Sequence, residues 1–298
     1  MEGGRAQREL RILAFADLHL DRALPWATRA TGDETRAAQQ VAFDAICSIA
    51  ATEADILISA GDLYDYDRHH PETGELLRAG FERLAPMPVL LLPGETDPQD
   101  GLSLYEHVKW SPNVQVLSAA ELTSTTPLPG LTIWTAPDAD ELARAETEAG
   151  SFNLAVFHAN ATSEQVAASR IQHLIAAAGH HPFELPGVTC PGAAQPVDPE
   201  DPPGGVAVLN LLEDGTLLVT RREVGTYAPE RPARRFPTAE LAHYDLAAIG
   251  EEQTVRGEFV RNLITPEESP VHLRRLALLT GLQALAGIAP RSAPEPEP

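Results

Sequence analysis

Short apolar runs divided by polar, turn-rich segments organise the first two thirds of the chain. Leu10–Ala16 is mostly apolar with weak alternation and reads as a buried strand, as do Ile56–Ser59 and Pro88–Leu92. Between them, Asp33–Thr52 is rich in Ala and Gln and sets Val41, Ile46 and Ile49 on helical spacing, with Asp33 as N-cap; Glu72–Leu84 reads as a second helix. This βαβαβ opening implies parallel strands with helices on the sheet faces. Further on, Val114–Leu117, Leu131–Thr135 and Asn153–Phe157 are strand-like, and Glu141–Ala149 reads as helical. Ser163–Ala178 starts as a helix, with Thr162 and Gln165 at capping-box spacing, but its end, Leu174–Ala178, equally fits a strand running into Gly179. Val206–Leu212 and Thr216–Val224 flank Glu213-Asp214-Gly215, a hairpin signal, and the acidic, Pro-rich loop Pro196–Gly205 precedes them.

The pattern changes beyond Tyr227. Pro229–Pro237 is extended and Arg-rich, Leu246–Leu263 and Val271–Leu285 read as helices, and Ser292–Pro298 reads as disordered. The expected division is an α/β body over residues 1–225, a small C-terminal appendage over 226–290 and a tail over 291–298.

Charge and cysteine usage narrow the function classes. The 298 residues carry a net charge of -21, a field that repels phosphate backbones and excludes a simple electrostatic DNA binder. Residues 221–275 are neutral as a block, with nine arginines against nine acidic residues, so the excess lies elsewhere. Bound divalent cations would offset part of it locally. Cys47 and Cys190 lie far apart without C-x-x-C spacing, which argues against a thiolate zinc site or a disulfide framework and fits a cytoplasmic location. The chain opens on a polar stretch, and its longest late apolar stretch, Leu276–Ala289, is too short and interrupted to span a bilayer. A soluble protein with no membrane association is expected.

The chemistry sits at the ends of the apolar runs, where open α/β sheets bind ligands. Five polar clusters fall there: Asp17/His19, Asp62, Glu95/Thr96/Asp97, His158 and His180/His181. A single His at a strand end is usually a hydrogen-bonded or surface imidazole; five clusters in register are harder to explain that way. Oxygen and imidazole ligands without thiolates suit Mn²⁺, Fe²⁺, Zn²⁺ or Mg²⁺, one or two ions per chain. A carboxylate bridging two ions about 3.5–4 Å apart would make a two-metal hydrolytic centre. The remaining histidines have plainer readings. His69 and His70, after Asp65 and Asp67, read first as a solvated loop and second as lining of a substrate groove or a substitute imidazole, and His107, His173, His243 and His272 read as surface residues on or near helices.

The order D-x-H, G-D, G-x-x-D, H, G-H resembles the calcineurin-like metallophosphoesterases. The surrounding text, Ala16–Asp21 followed by Ile58–Asp65, Pro191–Val197 with the Gly204-Gly205 strand, and Thr254–Arg261, is similar to the SbcD-like DNA repair exonucleases. The resemblance covers residues 10–285. It implies a four-layer α/β/β/α sandwich with a C-terminal appendage, and divalent metal, foremost Mn²⁺. It also implies DNA as substrate, a coiled-coil ATPase of the SbcC type docking on the C-terminal helices, and a homodimer. Carried over by position, Asp17 and His19 bind the first metal, Asp62 bridges, and His158 and His180 bind the second, with Asp62 and His158 closest to the reaction.

Three positions depart from the family pattern. The third motif, G-N-H-D in the family, reads Gly94-Glu95-Thr96-Asp97. Glu95 still offers a carboxylate to the second metal, but Thr96 cannot act as an acid near neutral pH or carry positive charge. The last motif, G-H-x-H, reads Gly179-His180-His181-Pro182, so Pro182 offers no ligand where the first metal expects imidazole. Two functions therefore stand side by side. One is a phosphodiester hydrolase of the nuclease type with weakened catalysis; the other is an inactive pseudo-nuclease acting as a subunit of a DNA-processing complex.

Overall fold

The computed structural model describes residues 9–230, apart from Glu148, Ala178 and Thr226. The expected C-terminal appendage from residue 231 on and the tail, with their helices and with His243 and His272, lie outside the described residues. These divide into two compact units, 9–21 with 37–228, and 22–36 with 229–230. In the smaller unit, the Thr28 hydroxyl accepts a hydrogen bond from the Thr31 amide at 3.1 Å. Helix α1, Arg29–Glu53, starts there, a turn before the expected cap Asp33.

Among the described residues, twelve strands form two six-stranded sheets. The first contains β1 (Leu10–Phe15), β2 (Ile56–Ser59), β3 (Val89–Leu91) and β4 (Val114–Val116), all parallel. The hairpin β11 (Gly204–Leu211) and β12 (Leu217–Gly225) adds antiparallel to β1. The second runs β5 (Thr123–Leu128), β6 (Leu131–Thr135), β7 (Phe152–Phe157), β8 (His173–Ala176), β10 (Val188–Cys190), β9 (Phe183–Leu185); β6, β7, β8 and β10 are parallel. The two edge strands β5 and β9 pair antiparallel to their neighbours.

Alternation in the parallel strands builds the layers. Ile12, Ala14, Ile56, Ile58 and Leu90 of the first sheet meet Leu131, Ile133, Leu154, Val156 and Ile175 of the second, forming a core between the sheets. The opposite faces turn outward to helices. Leu13, Phe15, Leu57 and Leu91 pack against Phe43 and Ile46 of α1 and against Leu77 and Phe81 of α2 (Pro71–Glu82). On the other side, Trp134, Ala155, Phe157 and Leu174 pack against Leu142 of the 3-10 turn Ala139–Arg144 and Val166 of α4 (Ser163–Ala168). The result is the four-layer α/β/β/α sandwich. A single short helix, α3 (Leu104–His107), sits between β3 and β4.

Several local readings change. Ser163–Ala178 splits into α4, capped by Thr162 and Gln165, and the buried strand β8. His173 is therefore not a helix-surface residue: it is buried on β8, within 2.9 Å of the Thr189 hydroxyl. The expected helix Glu141–Ala149 is only a 3-10 turn, entered through the Asp138 carboxylate, which accepts from the Glu141 amide at 3.0 Å. β5 has no apolar signature; Pro127 is tolerated there because β5 is an edge strand. Among the described residues, no helix is long and apolar enough to cross a membrane.

Candidate metal centre

Four strand ends from both sheets deliver the polar clusters to one place. β1 runs into Asp17 and His19, β2 into Asp62, β7 directly into His158, and β8 within a few residues into His180. The main chain is bent to do this. Asp17 (φ 49°), His19 (φ 50°) and Asp62 (φ 53°) all occupy the left-handed region, a strain of about 1–3 kcal/mol for each non-glycine residue. The bends are held by main-chain bonds between the two loops, from Asp17 N to Gly61 O (3.1 Å) and from His19 N to Asp62 O (2.9 Å). Gln39 of α1 donates to the carbonyls of Leu18 (3.0 Å) and His19.

Two glycines leave room for the ligands. A Cβ at Gly61, itself at φ 105°, would run into the His158 ring; one at Gly94 would meet the Asp62 carboxylate and stand 2.5 Å from the Asp62 amide. Behind them, the buried Asp97 carboxylate accepts hydrogen bonds from the amides of Asp62 (3.0 Å), Leu63 (2.7 Å) and Gly94 (2.6 Å), and from the Tyr105 hydroxyl. Burial pushes Asp97 up to about 6, against the ionising influence of the Tyr105 hydroxyl. Asp97 thus shapes the loops after β2 and β3 instead of facing the centre.

Two groups of side chains converge closely enough to hold cations: Asp17 with His19 and His180, and Asp17 with Asp62 and His158, the ligand atoms of each within 4.8 Å of one another. Three features fit a metal. One buried oxygen, Asp17 Oδ2, has no hydrogen-bond partner. Each imidazole has its Nδ1 beside an oxygen: His19 against Asp65 (3.1 Å), His158 against the Ala60 carbonyl (3.0 Å) and His180 against Asp201 (2.7 Å). Carboxylates and carbonyls only accept, so Nδ1 carries the proton and Nε2 is left as the ligating atom. Finally, Nε2 of His19 and Nε2 of His180 face each other at 3.2 Å. Nitrogens about 2.1 Å from one ion stand roughly 3.0–3.4 Å apart between right-angle and tetrahedral geometry, so the spacing suits a shared cation.

The electrostatics agree. Burial would raise Asp62, but the hydrogen bond from His158 and the charges of His19 and His158 hold it well below the usual carboxylate range. Burial would lower His158, yet its bond and attraction to Asp62 push it up to about 9.

The arrangement differs from the expected ligand sets. His180 lies with Asp17 and His19, where the resemblance put it with His158. Asp17, not Asp62, is common to both groups. Glu95 is exposed and belongs to neither group among the described residues. Thr96 stands beside the centre: its amide donates to Asp62 Oδ1 at 2.8 Å, and its hydroxyl is 3.3 Å from His19 Nδ1. Pro182 is half-buried near the Gly192 turn and His181 is exposed. Asp65, Asp201 and Gln39 were not singled out from the sequence; Asp65 and Asp201 sit in acidic stretches whose partners only the folded chain reveals.

A two-sheet sandwich with imidazoles and carboxylates gathered at the carboxyl ends of its parallel strands defines a metallophosphoesterase-like protein. The family model for calcineurin-like phosphoesterases matches residues 10–195, well over half of the chain, and the chain belongs to that family, whose members use divalent metals. No curated protein matches it. Among solved structures, it is similar to a conserved uncharacterised protein from Streptococcus pneumoniae TIGR4 described as a predicted phosphoesterase. That match has 12% identity and a TM-score of 0.31, over 73% of this chain and 99% of the other. A second is the purple acid phosphatase from yellow lupin (Lupinus luteus) seeds, at 11% identity and a TM-score of 0.46, over 73% of this chain and 52% of the other.

Proposed function

We propose that this chain is a metal-dependent phosphodiester hydrolase of the SbcD-like type, acting on DNA with Mn²⁺ as its foremost metal. The observation that carries the metal-dependent part is the convergence of His19 Nε2, His180 Nε2 and the unpartnered Asp17 oxygen, with Asp62 and His158 alongside. Divalent cations held there would supply an activated water and neutralise phosphate charge. The protein's own part is to orient those ligands through Asp65, Ala60 and Asp201, and to keep Asp62 ionised in a buried setting.

The DNA specificity is supported by sequence resemblance outside the metal motifs. In the fold, the similar segment Pro191–Val197 lies against the centre: Ala194 N donates to Ala16 O (3.1 Å) and Ala193 N to His180 O (3.0 Å). With Thr96 where the family has an imidazole, no general acid stands at that position, and slow turnover is expected; such help is typically worth about 10²–10⁴-fold.

The test is hydrolysis of single-stranded DNA and of an activated phosphodiester by the purified chain with Mn²⁺, beside Asp62→Asn. Cleavage of both substrates, lost in the variant, is expected; no cleavage above the variant would overturn the proposal. Cleavage of the activated diester alone would remove the DNA assignment and keep the hydrolase.

The exposed Glu95 and the Thr96 replacement favour a second reading, an inactive subunit partnered with an SbcC-like ATPase. It predicts bound metal without hydrolysis, and co-purification of such an ATPase that is lost on deleting residues 240–298.

A further inference from the structure

The acidic loop before β11 reaches the centre through Asp201. Asp201 Oδ1 accepts from His180 Nδ1 at 2.7 Å, and Asp201 Oδ2 accepts from the amides of Val197 (2.9 Å) and Asp198 (2.7 Å). The Asp201 amide in turn donates to the Asp198 carbonyl at 3.0 Å. The carboxylate is therefore fixed by its own loop before it meets the imidazole, and its side chain is only 7% exposed.

The same segment holds the main chain of His180. Ala193 donates to the His180 carbonyl, and Gly192, at φ 71°, passes so close that a Cβ there would stand 2.7 Å from the Pro182 nitrogen and 2.8 Å from the His180 oxygen. His180 follows Gly179 at φ 111°, and its neighbour His181 is exposed. One imidazole from this turn joins the ligand groups, and an imidazole alone can present either nitrogen by a ring flip.

We infer that Asp201 is a positioning residue for His180: it fixes the proton on Nδ1 and the ring orientation that turns Nε2 toward His19, so that the last motif supplies a ligand despite the proline at 182. This rests on the metal-binding reading above, but the tautomer it sets is a property of the metal-free protein as well.

Asp201→Asn is the sharpest variant. The amide oxygen can still accept from Val197 and Asp198, while its NH2 faces Nδ1 and favours the opposite tautomer. Two measurements on the full chain decide the matter. In ¹⁵N NMR of the metal-free protein, read on the neutral form of the ring, His180 should carry its proton on Nδ1 in the wild type and on Nε2 in Asp201→Asn. In titrations with Co²⁺, followed by its visible absorption, the variant should bind about 10–100-fold more weakly, the usual cost of losing such a partner. In a His180→Ala background Asp201→Asn should change nothing further.

An unchanged tautomer would overturn the inference. So would a Co²⁺ affinity within twofold of the wild type, or an equal loss in the His180→Ala background, which would mark a general charge or stability effect. Failure of the wild type itself to bind Co²⁺ would instead remove the metal reading, and the NMR result would still decide the role of Asp201.

Discussion

Asp17, His19 and Asp62 each adopt a backbone conformation that costs energy, and each contributes an atom to one or both of the converging groups. Strain at three chemically active residues in two neighbouring loops is stored where function needs it. The glycines beside them keep that geometry open. Gly94→Ala should displace the Asp62 carboxylate, weaken divalent-metal binding and destabilise the fold by more than about 1 kcal/mol, a typical scale for a forced packing clash. Calorimetric metal titration and chemical denaturation of the variant check both parts; wild-type values in both would show that Gly94 has slack that the structure denies. Thr96 is the complementary case, a side chain too poor in chemistry for its place. Its backbone already serves Asp62, so Thr96→His alters the side chain without removing that bond. It should raise the rate of phosphodiester hydrolysis roughly 10²-fold or more if an imidazole acid is what the site lacks. A rate unchanged in steady-state kinetics would place the shortfall elsewhere.

At the scale of elements, β8 shows how a buried strand carries a titratable group away from the centre. Burial drives His173 down to about 4 from 6.5. The unfolded chain therefore takes up the proton first, and this contribution to stability is full above about pH 6.5 and lost as pH falls toward 4. The whole effect is on the order of 3 kcal/mol. Denaturation curves between pH 7 and about 4 should show this extra slope in the wild type and lose it in His173→Gln, which keeps a polar partner for Thr189 without titrating. Equal slopes would mean His173 is hydrated in the folded state.

The same strand marks the limit of what the sequence reveals. β1, β2, β3, β6 and β7 were legible because each is an apolar run buried on both faces, bounded by turn residues. β5, β9 and β10 were not: they are short or polar, and only their neighbours in the sheet make them strands. For the site, Asp17, His19, Asp62, His158 and His180 could be picked out by their place after apolar runs. Asp65, Asp201 and Gln39 could not, because their role is to hold another residue across 46, 21 and 20 positions of chain respectively. The sorting of His180 toward Asp17 and His19 likewise depends on how the turn after β8 is braced.

At the scale of the molecule, the sandwich faces a conflict between its charge and its chemistry. A net charge of -21 opposes approach of a polyanion, and buried Asp17 and Asp62 add to that locally. Cations held at the centre would relieve it, so metal and substrate binding should be linked and the metal should stabilise the fold, by about 2.7 kcal/mol at a hundredfold excess over its dissociation constant. Asp17 decides the question, because both candidate groups include it. The most direct test is the metal content of the purified chain after loading with Mn²⁺ and desalting, measured by elemental analysis beside Asp17→Ala. The account predicts one to two ions per chain in the wild type and none in the variant, with the thermal stabilisation by Mn²⁺ lost in parallel. A wild type that retains no metal, or an Asp17→Ala protein that retains as much, would contradict it.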